Sequence, residues 1–407
     1  MKKPNILMIV ENNFPGDIRV RKEANILKNY YKVTVIAIKR SSEKFYEIED
    51  DIEVFRVPEL QLRGLNLKNK LIRSYYNKIS YFLQYFYLTI LSTIIFTFTY
   101  IKRKYKVIHV HNPPDTLFIV GLLGKIFSIK FIFDHHDLSP NLYLTKFSGK
   151  KDFAYKILIL CEKFSCKLAD VIISTNESYK QIEMDRHHVD SKKIYIVRNN
   201  PILSECLVEK NDNNNSIKEK NKKELLFLGA INPQDGLDIL LKALHYLVTD
   251  LNRKDFICNI VGGGDSLQSV KQIATELDLM DYVDFKGIVF EREKIKEYLY
   301  LADVCVEAAP DNELNRHSTF IKIMEYMAAG KPTVAFDLKE TRYSVDGAAI
   351  LVPSGDIEGF AHGIKKLMDK PDLREKLGKA GQERVTKELN WAKSSSKLIE
   401  AYETLNL

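Results

Sequence analysis

Six short runs rich in isoleucine and valine recur along the first half of the chain, NILMIV, KVTVIAI, KVIHV, KFIFD, DVIIS and KIYIV, with longer helical patterns between them. Strands that alternate with helices predict parallel βαβ units with right-handed crossovers. The alternation stops at SECLVEKNDNNNSIKEKNKK, residues 204–223, which is polar, Asn-rich and without apolar periodicity, and so reads as a surface linker. It restarts at ELLFLG and continues through FICNIV, YVDFKG, DVCVEA, KPTVAF and AILVP. The expected fold class is therefore α/β, with two Rossmann-like domains, 1–203 and 224–387. Their parallel sheets are expected to face a central cleft, where ligand meets the carboxyl ends of the strands.

Composition narrows the function. A chain of 407 residues with 45% hydrophobic and 28% charged residues is folded rather than disordered. A net charge of +7 is mild for that length and does not suggest a nucleic-acid partner. Five scattered cysteines without a Cys-x-x-Cys pair support neither a disulfide framework nor a zinc knuckle, and fit a reducing cytoplasm. The N-terminal run ILMIV meets Glu11 at once and reads as a strand, not a signal-peptide core.

One segment raises a membrane question. Ile79 to Ile101 carries no formal charge, and Leu60 to Lys106 carries nine Lys or Arg and no acid. The length would cross a bilayer, but parallel strands are expected on both sides of the segment, and one sheet cannot straddle a membrane. The segment is expected to form a long helix that covers the sheet, or lies on an anionic membrane surface, or does both.

Several loops carry candidate chemistry. In ENNFPGDIRVRKEANIL, Gly16 permits close backbone approach to a ligand, Asp17 can cap the next helix, and Arg19 and Arg21 are either solvated or turned to the cleft. Two further strands end in VIHVHNPPD and FIFDHHDLSP. His109, His111, His135 and His136 with Asp115, Asp134 and Asp137 are metallohydrolase ligand types, but adjacent residues on a strand point to opposite faces, so one of each pair is structural. A cleft histidine that binds a sugar hydroxyl or moves a proton is the alternative.

In the second half, Gly229 opens the loop of FLGAINPQDG, and VGGGD places Gly263 and Gly264 between a strand and a helix, either as diphosphate-facing backbone or as a tight turn. In NRHSTFIKIMEYMAAGKPTVAFD, Ser318 and Thr319 are candidate N-caps, while Lys322 and Glu325 share a helix face. If that helix start faces ligand, its amides and Lys322 suit a diphosphate and Glu325 suits ribose, the plain alternative being an exposed ion pair. No Asp-x-Asp occurs, so a metal-diphosphate site of that kind is not expected.

These motifs resemble those of family 4 glycosyltransferases, the retaining, nucleotide-sugar-dependent enzymes of GT-B fold. EYMAAGKPTVAFD matches the second Glu of the family's helix signature, as Glu325, and the Ala-x-Gly-x-Pro tail. NFPGDIRVRKEA, VHNPPD, DHHDLSP, LGAINPQDGLDILLKAL, VGGGD and FDLKETR extend the resemblance over most of the chain. It is similar to a branch from capsule, O-antigen and exopolysaccharide loci that includes proposed N-acetylfucosamine transferases. The resemblance implies that Gly16 borders the donor diphosphate and His136 lies beside the transferred sugar. Lys322 and the amides near Ser318 and Thr319 would meet the diphosphate, Glu325 the ribose, and Gly287, Ile288 and Val289 the base.

The resemblance also implies that residues 388–407 cross back to the first, acceptor-binding domain. Three positions depart from the family. His317 replaces the first Glu of the signature, and Ala230 and Asp235 replace two cations, for which Lys322, Arg316 or Arg198 would have to compensate.

The resulting expectation is a metal-independent glycosyltransferase without a cofactor. It would move a hexosyl or N-acetylhexosaminyl group from a UDP-sugar to a lipid-linked saccharide, at the inner face of the cytoplasmic membrane. The catalytic group would be His136, Glu325 and Lys322, with Arg19, His111 and Asp137 elsewhere in the cleft. Rival readings are a silent nucleotide-sugar-binding scaffold and a metal-dependent hydrolase built on the histidines.

Overall fold

A computed structural model describes residues 3–40, 42–60, 70–147, 149–206 and 222–407. It comprises two compact units, Met1–Arg198 with Ser394–Leu407, and Asn199–Lys393. In the first, β1 (Asn5–Ile9), β2 (Lys32–Lys39), β3 (Tyr46–Glu49), β4 (Ile52–Pro58), β5 (Val107–His111), β6 (Lys130–His135), β7 (Val171–Ser174) and β8 (Ile194–Ile196) form one sheet. Its order is β3-β4-β2-β1-β5-β6-β7-β8, parallel throughout except for β3 against β4. The central strands are apolar without alternation because helices cover both faces. Ile6 to Ile9 and Phe131 to Phe133 have no exposed surface.

The hairpin β3–β4 was not among the expected strands. Its two-residue turn, Asp50 and Asp51, has φ of 49° and 63°, which matches the right-handed twist of the flanking strands. The alternation in YEIEDDIEV carries that signal. Between β4 and β5 runs the expected long helix, Lys70–Arg103, which packs Leu88 and Phe96 into the sheet's core. Residues 61–69 of the basic stretch lie outside the described residues.

In the second unit, β9 (Lys223–Leu228), β10 (Phe256–Val261), β11 (Val283–Gly287), β12 (Val304–Glu307), β13 (Thr333–Phe336) and β14 (Ala349–Val352) form an all-parallel sheet ordered β11-β10-β9-β12-β13-β14. All six were expected. Strand order reverses beside β1 in one sheet and beside β9 in the other, where the carboxyl ends leave a crevice for ligand. Of the linker, Leu203–Cys206 is a short helix and residues 207–221 lie outside the described residues.

Candidate active site

In the second unit, loops from β9, β10 and β12 converge on Lys322. Gly229 has φ +137°, and a Cβ there would stand 3.0 Å from the Lys322 Cε. Gly262 has φ +147°, and a Cβ would fall 1.7 Å from the Gly229 carbonyl oxygen, so both loops need glycine to lie together. The Ile231 amide donates to Gly263 O and the Ser266 amide to Ile231 O, which ties the VGGGD turn to the β9 loop.

Lys322 is 12% exposed, with Nζ 2.8 Å from Glu307 Oε2, 3.9 Å from Asp235 Oδ1 and 4.2 Å above the Phe227 ring centre. Burial raises the Glu307 carboxyl, and Lys322 partly offsets this. Asp235 also completes a capping box, accepting the Asn232 amide at 2.9 Å. The alternative of an exposed ion pair between Lys322 and Glu325 does not hold, since the two enter separate pairs. Glu325 Oε1 instead accepts from Arg292 Nη1 at 3.1 Å, and Arg292 also holds Glu205.

The capping expectation at Ser318 and Thr319 needs correction. The helix runs Ile321–Ala328 and its cap is Phe320, which makes no side-chain capping bond, while Ser318 Oγ donates to Leu314 O at 2.9 Å. A tight turn at Asn315–His317 shifts the helix start by two residues. Phe320 therefore brings no capping side chain to the first-turn amides, an arrangement suited to an anion. His317 is half-buried on that turn. At the end of β11, Gly287 has φ +72°, Ile288 is 62% exposed and Val289 is half-buried. Arg316 pairs with Asp311 at 3.0 Å.

The first unit holds a buried ionic network at the ends of β5 and β6. Arg19 is not solvated; it is 4% exposed, and donates to both Asp134 oxygens at 3.2 and 2.8 Å and to Val197 O at 2.8 Å. Arg19 Nε also lies 2.9 Å from His136 Nε2 and 3.1 Å from Glu23 Oε1. Arg19 and Glu23 fall on the helix stripe that carries Val20, Ala24 and Leu27, so they enter the core together. Asp17 caps this helix through the Val20 amide, as expected.

Burial alone would raise Asp134, yet Arg19 and His136 hold it well below the usual carboxylate range, while burial and Asp134 push Glu23 up. Burial lowers His109 and His111, which are therefore neutral. His111 was expected to be a cleft residue but has no exposed surface. Its Nδ1 lies 3.2 Å from Nε2 of His136, which is 14% exposed. Asn112 Oδ1 accepts the His136 and Asp137 amides at 2.6 and 3.2 Å and so fixes the loop that carries both; Asp137 is half-buried.

As the strand geometry predicts, His135 points away from His136, between Glu183 at 2.8 Å and Glu162 at 3.3 Å. Glu23, His109, His111 and Asp134 lie close enough together for a metal, their donor atoms within 4.8 Å of one another. The Arg19 guanidinium already supplies a cation to both carboxylates. Gly16 is exposed, and a Cβ there would fall 1.8 Å from Asn13 Oδ1. Nearby, a pocket of about 330 Å³ is lined by Glu11, Asn12, Lys39, Arg40, Gln84 and Tyr87, among others.

Two family models match the chain, "Glycosyltransferase Family 4" over residues 25–199 and "Glycosyl transferases group 1" over residues 208–384. The chain is a glycosyltransferase of the GT-B type. Among curated relatives, this glycosyltransferase is 26% identical over 294 residues to an uncharacterized glycosyltransferase of Methanocaldococcus jannaschii, covering 70% of this chain and 72% of that one. It is 30% identical over 126 residues to the lipopolysaccharide core biosynthesis glycosyltransferase LpsD of Rhizobium meliloti, but covers only 30% of this chain and 34% of LpsD. Among solved structures, HepE from Anabaena, determined in complex with UDP-glucose, superposes with a TM-score of 0.74 at 14% identity, covering 98% and 99% of the two chains.

Sequence reasoning missed Glu307, Arg292, Glu23 and Asn112. Glu307 was legible in principle, since an acid ending a Val-Cys-Val core strand calls for a buried cation.

Proposed function

We propose that this glycosyltransferase takes its sugar from a UDP-sugar, without a metal, and transfers it with retention to a lipid-linked saccharide of a cell-surface glycan. The observation that carries the donor reading is the convergence of Lys322, the Gly229 and Gly262–Gly264 loops and the Ile321–Ala328 helix start at the carboxyl ends of the second sheet. Amides and one cation there meet the charge of a leaving diphosphate as it develops. Glu325 then takes the ribose, and the exposed apolar side of Ile288 takes the base. HepE, of the same fold, binds UDP-glucose in its solved complex.

In the first domain, His136 faces the transferred sugar. Its Nε2 is engaged by Arg19, which leaves Nδ1 for a sugar hydroxyl. The pocket beside Gln84 and Tyr87 takes the acceptor saccharide, being polar and lined by amides and both signs of charge. That LpsD acts in lipopolysaccharide core biosynthesis agrees with a lipid-linked acceptor.

Calorimetry and thermal shift with UDP, GDP, dTDP and their sugars, with and without EDTA, test the donor reading. EDTA-insensitive stabilisation by the UDP series is expected. Stabilisation by another series, or by none, overturns it. A second reading, a silent nucleotide-sugar binder, draws on the engagement of Lys322 by Glu307 and of Glu325 by Arg292. Donor binding without transfer to any supplied acceptor would favour it.

A further inference from the structure

The Lys70–Arg103 helix is apolar on two faces, one that packs Leu88 and Phe96 into the core and one turned outward. Ser80, Thr89, Ser92 and Thr99 are buried, whereas Ile79, Leu83, Phe86, Ile90, Ile94 and Phe98 are 43–73% exposed. Spacings of three and four residues set these six in one stripe about 28 Å long. Four of the helix's threonine hydroxyls are satisfied within it: Thr89, Thr93, Thr97 and Thr99 donate to the carbonyls of Tyr85, Thr89, Thr93 and Ile95 at 2.7–2.8 Å.

The stripe does not stand alone. The Phe118–Ile126 helix packs beside it, Phe127 lying against Tyr100 with ring centres 4.8 Å apart, and exposes Leu122, Ile126 and Phe127. The Phe153–Leu168 helix packs next in turn, Phe118 stacking on Phe164 at 5.3 Å, and exposes Phe153, Leu160 and Phe164. With Ile101, these three neighbours carry 13 of the 24 large apolar side chains that are exposed among the described residues. Contiguous apolar surface of this kind marks an interaction site.

Charge identifies the occupant. Lys156, Lys163 and Lys167 form an exposed stripe beside Phe153, Leu160 and Phe164, and Lys102 and Lys104 are exposed at the end of the long helix. Among the described residues, no acid is exposed on any of the three helices; the single acid they contain, Glu162, is fully buried. A second copy would set lysines against lysines across a twofold interface, whereas an anionic bilayer meets both the apolar stripe and its basic rim. The long helix cannot span, because β4 and β5 on either side of it belong to one sheet.

We propose that the outer face of these three helices is a membrane-docking surface that lies in the interface of an anionic bilayer. It does not depend on the donor assignment.

Flotation of the full chain with phosphatidylcholine vesicles and with vesicles containing 30% phosphatidylglycerol tests this. Binding to the anionic vesicles that weakens at high salt is expected. Lys156→Glu with Lys163→Glu and Lys167→Glu should reduce binding at least tenfold, and Ile90→Asp with Phe98→Asp should abolish it. Circular dichroism and the melting temperature report that each variant remains folded, and Ile90→Ser with Phe98→Ser serves if the aspartates do not. Absent parent binding, or equal binding by all variants, overturns the proposal. So does a dimer in solution that Ile90→Asp with Phe98→Asp dissolves when the parent shows no affinity for vesicles, since the face would then be a subunit interface.

Discussion

Glu307 ends β12 with its carboxylate 2.8 Å from the ammonium of Lys322, the acid 2% and the lysine 12% exposed. Removing one member of a buried pair leaves the other uncompensated, at a cost of about 3–5 kcal/mol. Glu307→Gln is expected to lower the melting temperature and to enlarge the stabilisation by UDP, because Lys322 is then left with Asp235, at 3.9 Å, as its countercharge until the diphosphate binds. Lys322→Met should abolish the UDP shift. Equal shifts in parent and both variants, read by differential scanning fluorimetry, would move the diphosphate elsewhere.

Glu325, held by Arg292 at 3.1 Å, is the proposed ribose ligand. Hydrogen bonds to a charged group contribute about 1.5–3 kcal/mol, so Glu325→Ala should weaken UDP roughly 10–100-fold in calorimetry. Arg292→Ala, which frees the carboxylate, should leave affinity within a few-fold of the parent.

His135 gives the first domain a pH dependence. Burial would lower its pKa, but hydrogen bonds and charge from Glu162 and Glu183 raise it to about 10. With a folded pKa above the unfolded value of about 6.5, its contribution is complete below pH 6.5 and is lost as pH rises toward 10. Glu162 has the opposite sign: its depressed pKa adds stability above about pH 4.3 that is lost on acidification. Melting temperature against pH should fall on both flanks. His135→Leu should remove the alkaline decline and cost up to about 3–5 kcal/mol, chiefly through Glu183, which keeps the Ser174 hydroxyl, whereas Arg186 and His187 still hold Glu162.

Arg19 can be separated from the donor site. Arg19→Lys cannot reproduce its two-oxygen grip on Asp134, so His136 loses its support. Turnover is expected to fall about 10–100-fold, by roughly 1.4–2.7 kcal/mol, with UDP binding unchanged. Elemental analysis of the parent should find substoichiometric metal, and EDTA should not shift its melting temperature. Stoichiometric zinc or manganese would return the Glu23, His109, His111 and Asp134 cluster to the metal-dependent reading.

The sheets were legible because runs such as FICNIV and KVTVIAI are buried on both faces and carry no competing pattern. The β3–β4 hairpin escaped because its alternation is half polar and its turn is built from aspartates rather than glycine. At the site, glycine-bearing loops and the helix carrying Lys322 and Glu325 could be read from spacing, but their partners could not. Glu307 and Arg292 are distant in sequence and meet the helix only through the topology of the second sheet. Ser318 and Thr319 misled for a local reason: the turn at Asn315–His317 takes the Ser318 hydroxyl back to Leu314 before the helix begins. Arg19 shares the buried stripe of Val20, Ala24 and Leu27, but spacing alone does not show the Asp134 carboxylate, 115 residues away, that receives it.

Tyr402 lies 2.9 Å from His109 Nδ1, so one partner in the first domain's buried network follows the whole of the second domain in sequence. That domain is discontinuous, Met1–Arg198 being joined by Ser394–Leu407. During synthesis at about 5–20 residues per second, the N-terminal segment waits roughly 10–40 seconds for its last helix. A ribosome that stalls anywhere in the second domain therefore leaves a first domain that lacks Tyr402, and a His109 without that partner.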